Sequence, residues 1–389
     1  MKYDTIVLGL GAMGSAAVFQ LAKRGARVLG IDRYSPPHAY GSSHGGTRIT
    51  RLAIGEGEHY TPLAMRAHEI WREIENETGA DLLTTNGGLV ISSDNKLSKT
   101  HVDGFFQNTV AAAKRFGIPH ELLDAAEIRR RYPQFAISDE EYGYFEPSAG
   151  FVRPEQCVYA QLELAKRHGA TLHLGEAVVA FEPGPDTVSV ITDKDRYEAD
   201  KLIVAVGAWA PGLLGPPFAP LLKVHRQVQY WFAPKDGVCA FRPDRFPVFI
   251  WELRATRQGI YGFPALDGAT GGIKVATESY DNTATPCDKA REISMKEIAA
   301  TYDEFIAPYF PLVSPVCVKA AACFYTVTPD FGFIIDRHPE SERVKVVSPC
   351  SGHGFKHSPA IGEALAEWAL ELDGRHDLSS FKMSRFNGR

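Results

Sequence analysis

Asp4-Thr5-Ile6-Val7-Leu8 is followed at once by Gly9-Leu10-Gly11-Ala12-Met13-Gly14, and a helical pattern then runs from Ser15 to Arg24. A second apolar run, Arg27 to Ile31, ends in Asp32. Strand, glycine turn, helix and second strand make a βαβ unit that carries the dinucleotide fingerprint in its proper context. Gly9 permits the tight turn, Gly11 lets the backbone approach a pyrophosphate, and Gly14 lets helix and strand pack closely. The helix N-terminus offers N–H groups to phosphates. Asp32 is placed to accept hydrogen bonds from ribose hydroxyls. The plainer alternative is a glycine-rich turn with no ligand, but the full order of elements argues for a bound dinucleotide.

The chain has 389 residues, enough for two domains. A net charge of −5 gives no case for nucleic acid or an anionic membrane surface. Cys157, Cys239, Cys287, Cys317, Cys323 and Cys350 lie far apart with no Cys-x-x-Cys pair, so neither a disulfide framework nor a zinc or iron–sulfur site is expected. No metal is expected, and a reduced, cytoplasmic setting fits best. Thr5 to Ala22 carries no charge and resembles a signal or membrane helix in length. Its fingerprint glycines, and Lys2 and Asp4 directly before it, argue against that reading. No other stretch could span a bilayer.

Further along, Gly41 to Arg51 reads as a polar, glycine-rich loop, where function concentrates. Taken alone, its Arg48 and Arg51 fit two solvated arginines. Thr61 to Thr78 is an amphipathic helix with Pro62 in its first turn. Helices are also expected at Leu97 to Phe116, Asp124 to Tyr132, Pro154 to His168, Glu292 to Phe305 and Ser358 to Glu371. Lys201 to Gly207 reads as a buried strand that returns beside the fingerprint strand. Lys223 to Phe232, Val248 to Leu253, Gly259 to Phe263 and Gly272 to Ala276 suggest an antiparallel sheet in a second domain. Phe331 to Asp336 and Val344 to Pro349 are strands again, and Gly352-His353-Gly354 opens the last helix. The expected fold is therefore α/β, with an α+β second domain. A Rossmann-type dinucleotide domain would be built from residues 1–85, 150–215 and 325–389. A discontinuous substrate domain with an antiparallel sheet would comprise 86–149 and 216–324.

Seven stretches give this layout a family. They are Pro36-Pro37-His38, Gly41 to Arg51, Gly55-Glu56-Gly57, Gly262-Phe263-Pro264, Ala322-Cys323-Phe324-Tyr325-Thr326, Phe333-Ile334-Ile335-Asp336, and Ser351-Gly352-His353-Gly354-Phe355-Lys356. Over nearly its whole length the chain resembles the monomeric sarcosine oxidase and N-methyltryptophan oxidase family, within the D-amino-acid-oxidase-like flavoenzymes. The resemblance implies FAD rather than NAD, held along Gly9, Gly11, Gly14, Asp32, Arg33, Ser42, His44, Arg48, Val178, Gly207, Gly352, Gly354, Phe355 and Lys356. It also implies that Cys323 carries the flavin as an 8α-thioether, a step that needs a thiolate. Taken without the resemblance, Cys323 reads as a buried structural thiol; Cys350 reads as core.

The resemblance further implies that Arg51 and Lys356 bind the substrate carboxylate, one bidentately and one as a point charge. His44 and Arg48 would line the flavin and substrate, and Tyr261 and Tyr325 the substrate cavity. Lys274 would activate dioxygen on the other flavin face, where a fixed positive charge stabilises developing superoxide. The residues themselves leave alternatives open: Lys356 as a turn cap, Lys274 as a solvated strand lysine, both tyrosines as core packing. Glu278 stands where better-known members carry histidine, and Leu52 and His357 are further departures. All three are expected around the cavity.

The function implied by the resemblance is that of an oxidase of secondary amino acids such as sarcosine. It would deliver a hydride from the carbon next to nitrogen to the flavin and then two electrons to dioxygen. A monomer with a small-molecule substrate, and no membrane or nucleic-acid partner, is implied. The rivals are an oxidase of a cyclic, D- or sugar-modified amino acid, a dehydrogenase using another acceptor, and a non-catalytic flavin- or NAD-binding regulator.

Overall fold

A computed structural model describes residues 2–99, 102–281, 283–287 and 289–387. The fingerprint forms the strand Lys2–Leu8, the helix Ala12–Lys23 and the strand Val28–Asp32. Val28–Asp32 lies parallel to the first strand, with Leu8 opposite Ile31. On the other side lies Arg196–Val204, also parallel, with Leu8 opposite Val204. The returning strand is therefore in its expected place, although it begins at Arg196 and ends at Val204.

Thr171–Leu174 extends this sheet beyond Val28–Asp32. The outer edge of Arg196–Val204 is divided between two partners. Val188–Thr192 pairs antiparallel with its first half, and Ser341–Ser348 pairs parallel with Leu202 to Val204. Val178–Pro183 and Ile334–His338 complete the eight strands. Val7 and Val28 face one apolar cluster while Ile6, Leu8, Leu29 and Ile31 face another, so the central strands are buried on both sides, as a parallel sheet covered by helices requires. Ala12–Lys23 packs against Pro154–Arg167 and Ser358–Ala369. Gly362 allows that contact, because a Cβ there would stand 2.5 Å from the Ala16 Cβ.

The second sheet also has eight strands. In spatial order they are Val313–Val327, Lys223–Pro234, Ile273–Thr277, Ile260–Phe263, Val248–Trp251, Gly88–Ser93, Glu141–Glu146 and Glu121–Asp124. Its pairings are antiparallel except that Val248–Trp251 runs parallel to Gly88–Ser93. Register decides what each face carries. Trp231 lies opposite Lys274, which lies opposite Phe263; Gln229 lies opposite Ala321; and Ala276 lies opposite both Gln229 and Tyr261. With side chains alternating, Gln229, Trp231, Tyr261, Phe263, Lys274, Cys323 and Tyr325 share one face. Val228, Tyr230, Phe232, Ile260, Ile273, Val275 and Ala322 turn the other way into an apolar core. A third, three-stranded sheet joins Arg48–Thr50, Gly150–Val152 and Leu83–Thr84.

The strand Val313–Val327 is not among the expected ones, and it runs across the expected boundary at 324/325. Its first half is an exposed edge containing Pro315, whose missing N–H suits an edge strand and blurs the sequence pattern. The helix expected from Leu97 starts at Phe105, after Gly104 at φ 68°; residues 100 and 101 lie outside the described residues. The helix expected from Glu292 starts at Met295 behind a Ser294 cap and passes into a π-helical turn, Tyr302–Ile306. Among the described residues, no helix is long and apolar enough to cross a membrane.

Candidate active site

The carboxyl ends of the central parallel strands open into a cavity of about 240 Å³. Gly9, at φ 80°, turns the chain there, and a Cβ on it would stand 2.6 Å from the Ala205 oxygen. A Cβ on Gly14 would stand 1.7 Å from the Gly9 oxygen, so neither position accepts a side chain. Gly11 lines the cavity where the helix Ala12–Lys23 begins, and no side chain of its own caps that helix. The neighbouring loop approaches instead, Ser43 Oγ accepting from the Ala12 amide at 3.2 Å.

Asp32 ends its strand at the same cavity. Its carboxylate accepts the amides of Leu10 and Tyr34, both at 2.8 Å. Burial pushes its pKa up against those hydrogen bonds. Arg33 lies over the rings of Tyr34 and Trp209 at 5.3 and 5.7 Å. Ser42, Arg48, Val178, Gly207, Gly352, Gly354 and Phe355 also line the cavity, whereas Lys356, expected there too, lines only a smaller neighbouring one. Gly354 is obligatory, since a Cβ there would stand 1.5 Å from the Pro349 oxygen. A side-chain-free turn, a helix N-terminus at the cavity wall and a strand-end carboxylate together fit a dinucleotide such as FAD.

A second cavity, of about 90 Å³, adjoins the first, and Arg48, Tyr325, Gly352 and Phe355 line both. Its walls bring Arg51, Lys356, Tyr261 and Tyr325 together. The Tyr261 and Tyr325 hydroxyls are 2.9 Å apart. Burial raises both their pKa values, so they act as neutral hydrogen-bond groups.

Arg51 is 3% exposed. Its guanidinium donates to the Ala53 carbonyl and to Glu56, while its Nε is buried without a hydrogen-bond partner among the described residues. Lys356 donates to the His353 carbonyl at 2.8 Å and stands 3.8 Å from Glu56. Burial pulls its pKa down to about 8; Glu56 opposes that shift and Arg51 adds to it. Glu56 thus sits between the two cations, a role that Gly55-Glu56-Gly57 does not reveal as a local sequence. Glu278 lines the same pocket and also acts on Lys356, so two carboxylates face Arg48, Arg51 and Lys356, and these cations exceed the acids by one.

Arg48 donates to the carbonyls of Thr47 and Ser42 at 2.7 and 2.6 Å. Lys274 lines neither cavity. It is buried behind Arg48, and its ammonium donates to Gly45 O, Thr47 O and Thr47 Oγ1 at 2.8, 2.9 and 3.1 Å. Three acceptors match the three N–H bonds of an ammonium. Burial nevertheless pulls its pKa well below the usual lysine value, with Arg48 adding to the shift. The Phe263 and Trp231 rings flank the ammonium at 4.5 and 5.3 Å. The Thr47 carbonyl therefore links Lys274 to Arg48. Glu155 holds this loop by accepting the Gly45 and Gly46 amides at 2.6 and 3.1 Å.

His44 also lines neither cavity. Burial and the neighbouring Arg48 pull its pKa to about 4, so it is neutral, and its Nε2 has no hydrogen-bond partner among the described residues. Cys323, expected on the cofactor, is fully buried on the site-facing side of the second sheet and lines neither cavity; it packs behind Tyr325 and Cys350, which line the larger one. Burial raises its thiol pKa, while Arg48, Lys274 and a Gln229 hydrogen bond lower it. Cys350, read as core, instead lines the larger cavity and is partly exposed, because it lies in the turn before Gly352 rather than inside the sheet.

Of the three departures, only Glu278 reaches a cavity, the smaller one, where it stands close enough to raise the pKa of Tyr280. Leu52 packs in an apolar cluster beside the helix Phe105–Arg115. His357 is buried among Tyr60, Phe333 and His353, and neither ring nitrogen is hydrogen-bonded to any of the described residues. Among the described residues, no cluster of ligands suits a metal ion.

The FAD dependent oxidoreductase (DAO) family profile matches residues 4–368. The chain is 42% identical over 387 residues to the monomeric sarcosine oxidase of Streptomyces avermitilis, covering 98% of this chain and 97% of that one. It is 35% identical to an N-methyl-L-tryptophan oxidase of Yersinia pestis, covering 99% of this chain and all of the relative. In fold it is similar to NikD, an amino acid oxidase of nikkomycin biosynthesis, with a TM-score of 0.81, 24% identity, and 98% and 97% of the two chains covered. Glycine cradle, whole-length sequence similarity and fold agree: this chain belongs to the FAD-dependent oxidoreductase family of the D-amino-acid-oxidase type, alongside the monomeric sarcosine oxidases and N-methyltryptophan oxidases.

Proposed function

We propose that the protein is an oxidase of small N-methyl or other secondary amino acids. The observation that carries this reading is the meeting of the glycine-lined cavity with the smaller one at Arg48, Tyr325, Gly352 and Phe355, beside Arg51 and Lys356. Relatives named as oxidases of sarcosine and N-methyl-L-tryptophan support it. In this reading the strands of the first sheet hold the cofactor and those of the second sheet line the substrate, as the proposed division into two discontinuous domains has it.

FAD, which Gly9, Gly11, Asp32, Gly352 and Gly354 would hold, would supply the two-electron chemistry, with dioxygen as the final acceptor and hydrogen peroxide as its product. The chain's residues supply position and charge. Arg51 Nε and the Lys356 ammonium take the substrate carboxylate, which fixes the reacting carbon toward the larger cavity. The apolar walls, Ile49, Ile250, Ile260 and Phe263 among them, exclude water from the reacting carbon. The hydroxyl pair Tyr261–Tyr325 offers hydrogen bonds to the neutral amine. His44 and Lys274 act from behind, and Lys274 supplies a positive charge for oxygen reduction. Cys323 is assigned as the site of covalent attachment. With six free cysteines the protein suits a reducing compartment, the cytoplasm, and we assign it as a monomer.

The test is to mix the purified flavoprotein anaerobically with sarcosine, N-methyl amino acids, proline, pipecolate and D-amino acids, then admit air and assay peroxide. Bleaching by N-methyl amino acids followed by peroxide is the expected result. Failure of every secondary amino acid to bleach the flavin overturns the reading. Lys274→Met should slow reoxidation by about 100-fold and spare flavin reduction; the opposite pattern removes the role given to Lys274.

A further inference from the structure

Gln229 sits on the strand Lys223–Pro234, opposite Ala321, two residues from Cys323 on the neighbouring strand. The two side chains share a face and are diagonal neighbours, within reach of each other. The Gln229 amide nitrogen stands 3.4 Å from the Cys323 sulfur. Gln229 is 1% exposed, and its Oε1 has no hydrogen-bond partner among the described residues. A buried amide oxygen without a partner is rare, and invites a reason. The loop beside it is cut to fit: a Cβ on Gly45 would stand 2.2 Å from that oxygen, and the Gly45 carbonyl is one of the three acceptors of Lys274. Gln229 is thus wedged between the sulfur and the loop that cradles Lys274.

We propose that Gln229 is a positioning residue for flavin attachment, holding the Cys323 sulfur as a hydrogen-bond acceptor so that it reacts as a thiolate; this rests on the assignment of Cys323 as the attachment site. A neutral thiol donates, and the partner it needs is an oxygen. A thiolate accepts, and the partner it needs is an N–H. The amide presents its N–H to the sulfur and leaves its oxygen unpaired, which is the arrangement suited to the acceptor. Arg48, Lys274 and Arg226 add positive charge from three strands, against burial and the neutral Tyr261, Tyr325 and Cys350 around the sulfur.

Atoms and electrons balance in this step. The thiolate pair forms the sulfur–carbon bond at the flavin 8-methyl carbon, and one methyl C–H bond is given up. Its electron pair remains on the ring, which takes up two protons in place of the thiol and methyl protons released. Dioxygen then removes two electrons and two protons as hydrogen peroxide.

The experiment uses full-length flavin-free protein mixed with FAD in air, sampled over time and precipitated with acid. Colour in the pellet measures covalent flavin, and peptide mass locates it. Gln229→Leu should attach flavin about tenfold more slowly at neutral pH, and Gln229→Glu more slowly still, with non-covalent FAD binding unchanged in Gln229→Leu. Raising the pH should restore the Gln229→Leu rate, because solvent then supplies the thiolate; a merely structural defect would not recover. Attachment by Gln229→Leu at the wild-type rate, loss at every pH, or flavin found on Cys350 overturns the proposal. A colourless wild-type pellet would instead defeat the Cys323 assignment. The action of Gln229 on the sulfur is then read from the thiolate absorbance of the flavin-free protein, taken against Cys323→Ser. A midpoint about one pH unit higher in Gln229→Leu is expected, and equal midpoints overturn it.

Discussion

Arg51, Glu56 and Lys356 make the smallest unit that has a chemical property of its own. Glu56 holds two buried cations together, and the Arg51 Nε has no hydrogen-bond partner among the described residues. Replacing Arg51 by lysine removes the planar fork. The KM for substrate should rise by about tenfold or more while the flavin content of the protein stays unchanged; a lower flavin content would place Arg51 on the cofactor instead. Lys356 titrates with a pKa of about 8, so its charge is present below that pH and is lost above it. KM should therefore climb above pH 8 in the wild-type enzyme, and Lys356→Met should flatten the climb. Glu278 adds a second acid to a cavity assigned to a carboxylate substrate. Glu278→Gln should lower the KM for sarcosine by about threefold, as expected for relief of a partly screened like-charge contact. A raised KM would mean that the acid holds the substrate amine.

At the scale of elements, the helix Ala12–Lys23 does two jobs: its N-terminus faces the cofactor cavity, and its body packs on Ser358–Ala369, whose preceding turn carries Lys356. Gly362 is the contact that couples them. Gly362→Val would force the helices apart and should cost about 1–3 kcal/mol of stability, measured by denaturant unfolding, together with weaker FAD retention. Normal FAD retention at reduced stability would separate packing from cofactor binding. The site-facing side of the second sheet was partly legible in the alternation of Ile273-Lys274-Val275, which puts a lysine opposite two apolar neighbours. The strand carrying Cys323 was not legible as a strand. Its exposed half mixes Pro315, Val316 and Val318 on an edge, where side chains answer to solvent rather than to a core.

Across the whole molecule, burial of histidines sets an acid limit. His44 and His68 have pKa values lowered to about 4, and that of His357 lies well below its usual 6.5; burial is the first cause for each. A group whose folded pKa is depressed in this sense takes up a proton more readily unfolded. Stability is full above pH 6.5 and is lost as the pH falls toward 4. At about pH 5 each such histidine costs about 2 kcal/mol. Thermal scans from about pH 7 to about pH 4.5 should show a steep loss of Tm, reduced in His68→Gln; an unchanged Tm over that range would contradict the burial of these rings.

The sequence by itself determined the dinucleotide unit, because a strand, a glycine turn and a helix are local. Gly14 is required by the oxygen of Gly9, five residues away, although Gly9 itself is required by the oxygen of Ala205 on the returning strand. It also determined the family, through motifs dispersed along the whole chain. Only the tertiary structure decided that Glu56 stands between Arg51 and Lys356, that Gln229 touches Cys323, and that of Glu278, Leu52 and His357 only the first reaches the cavity. These contacts join residues as much as 300 positions apart, and they depend on strand register and helix packing, which no local pattern of side chains encodes.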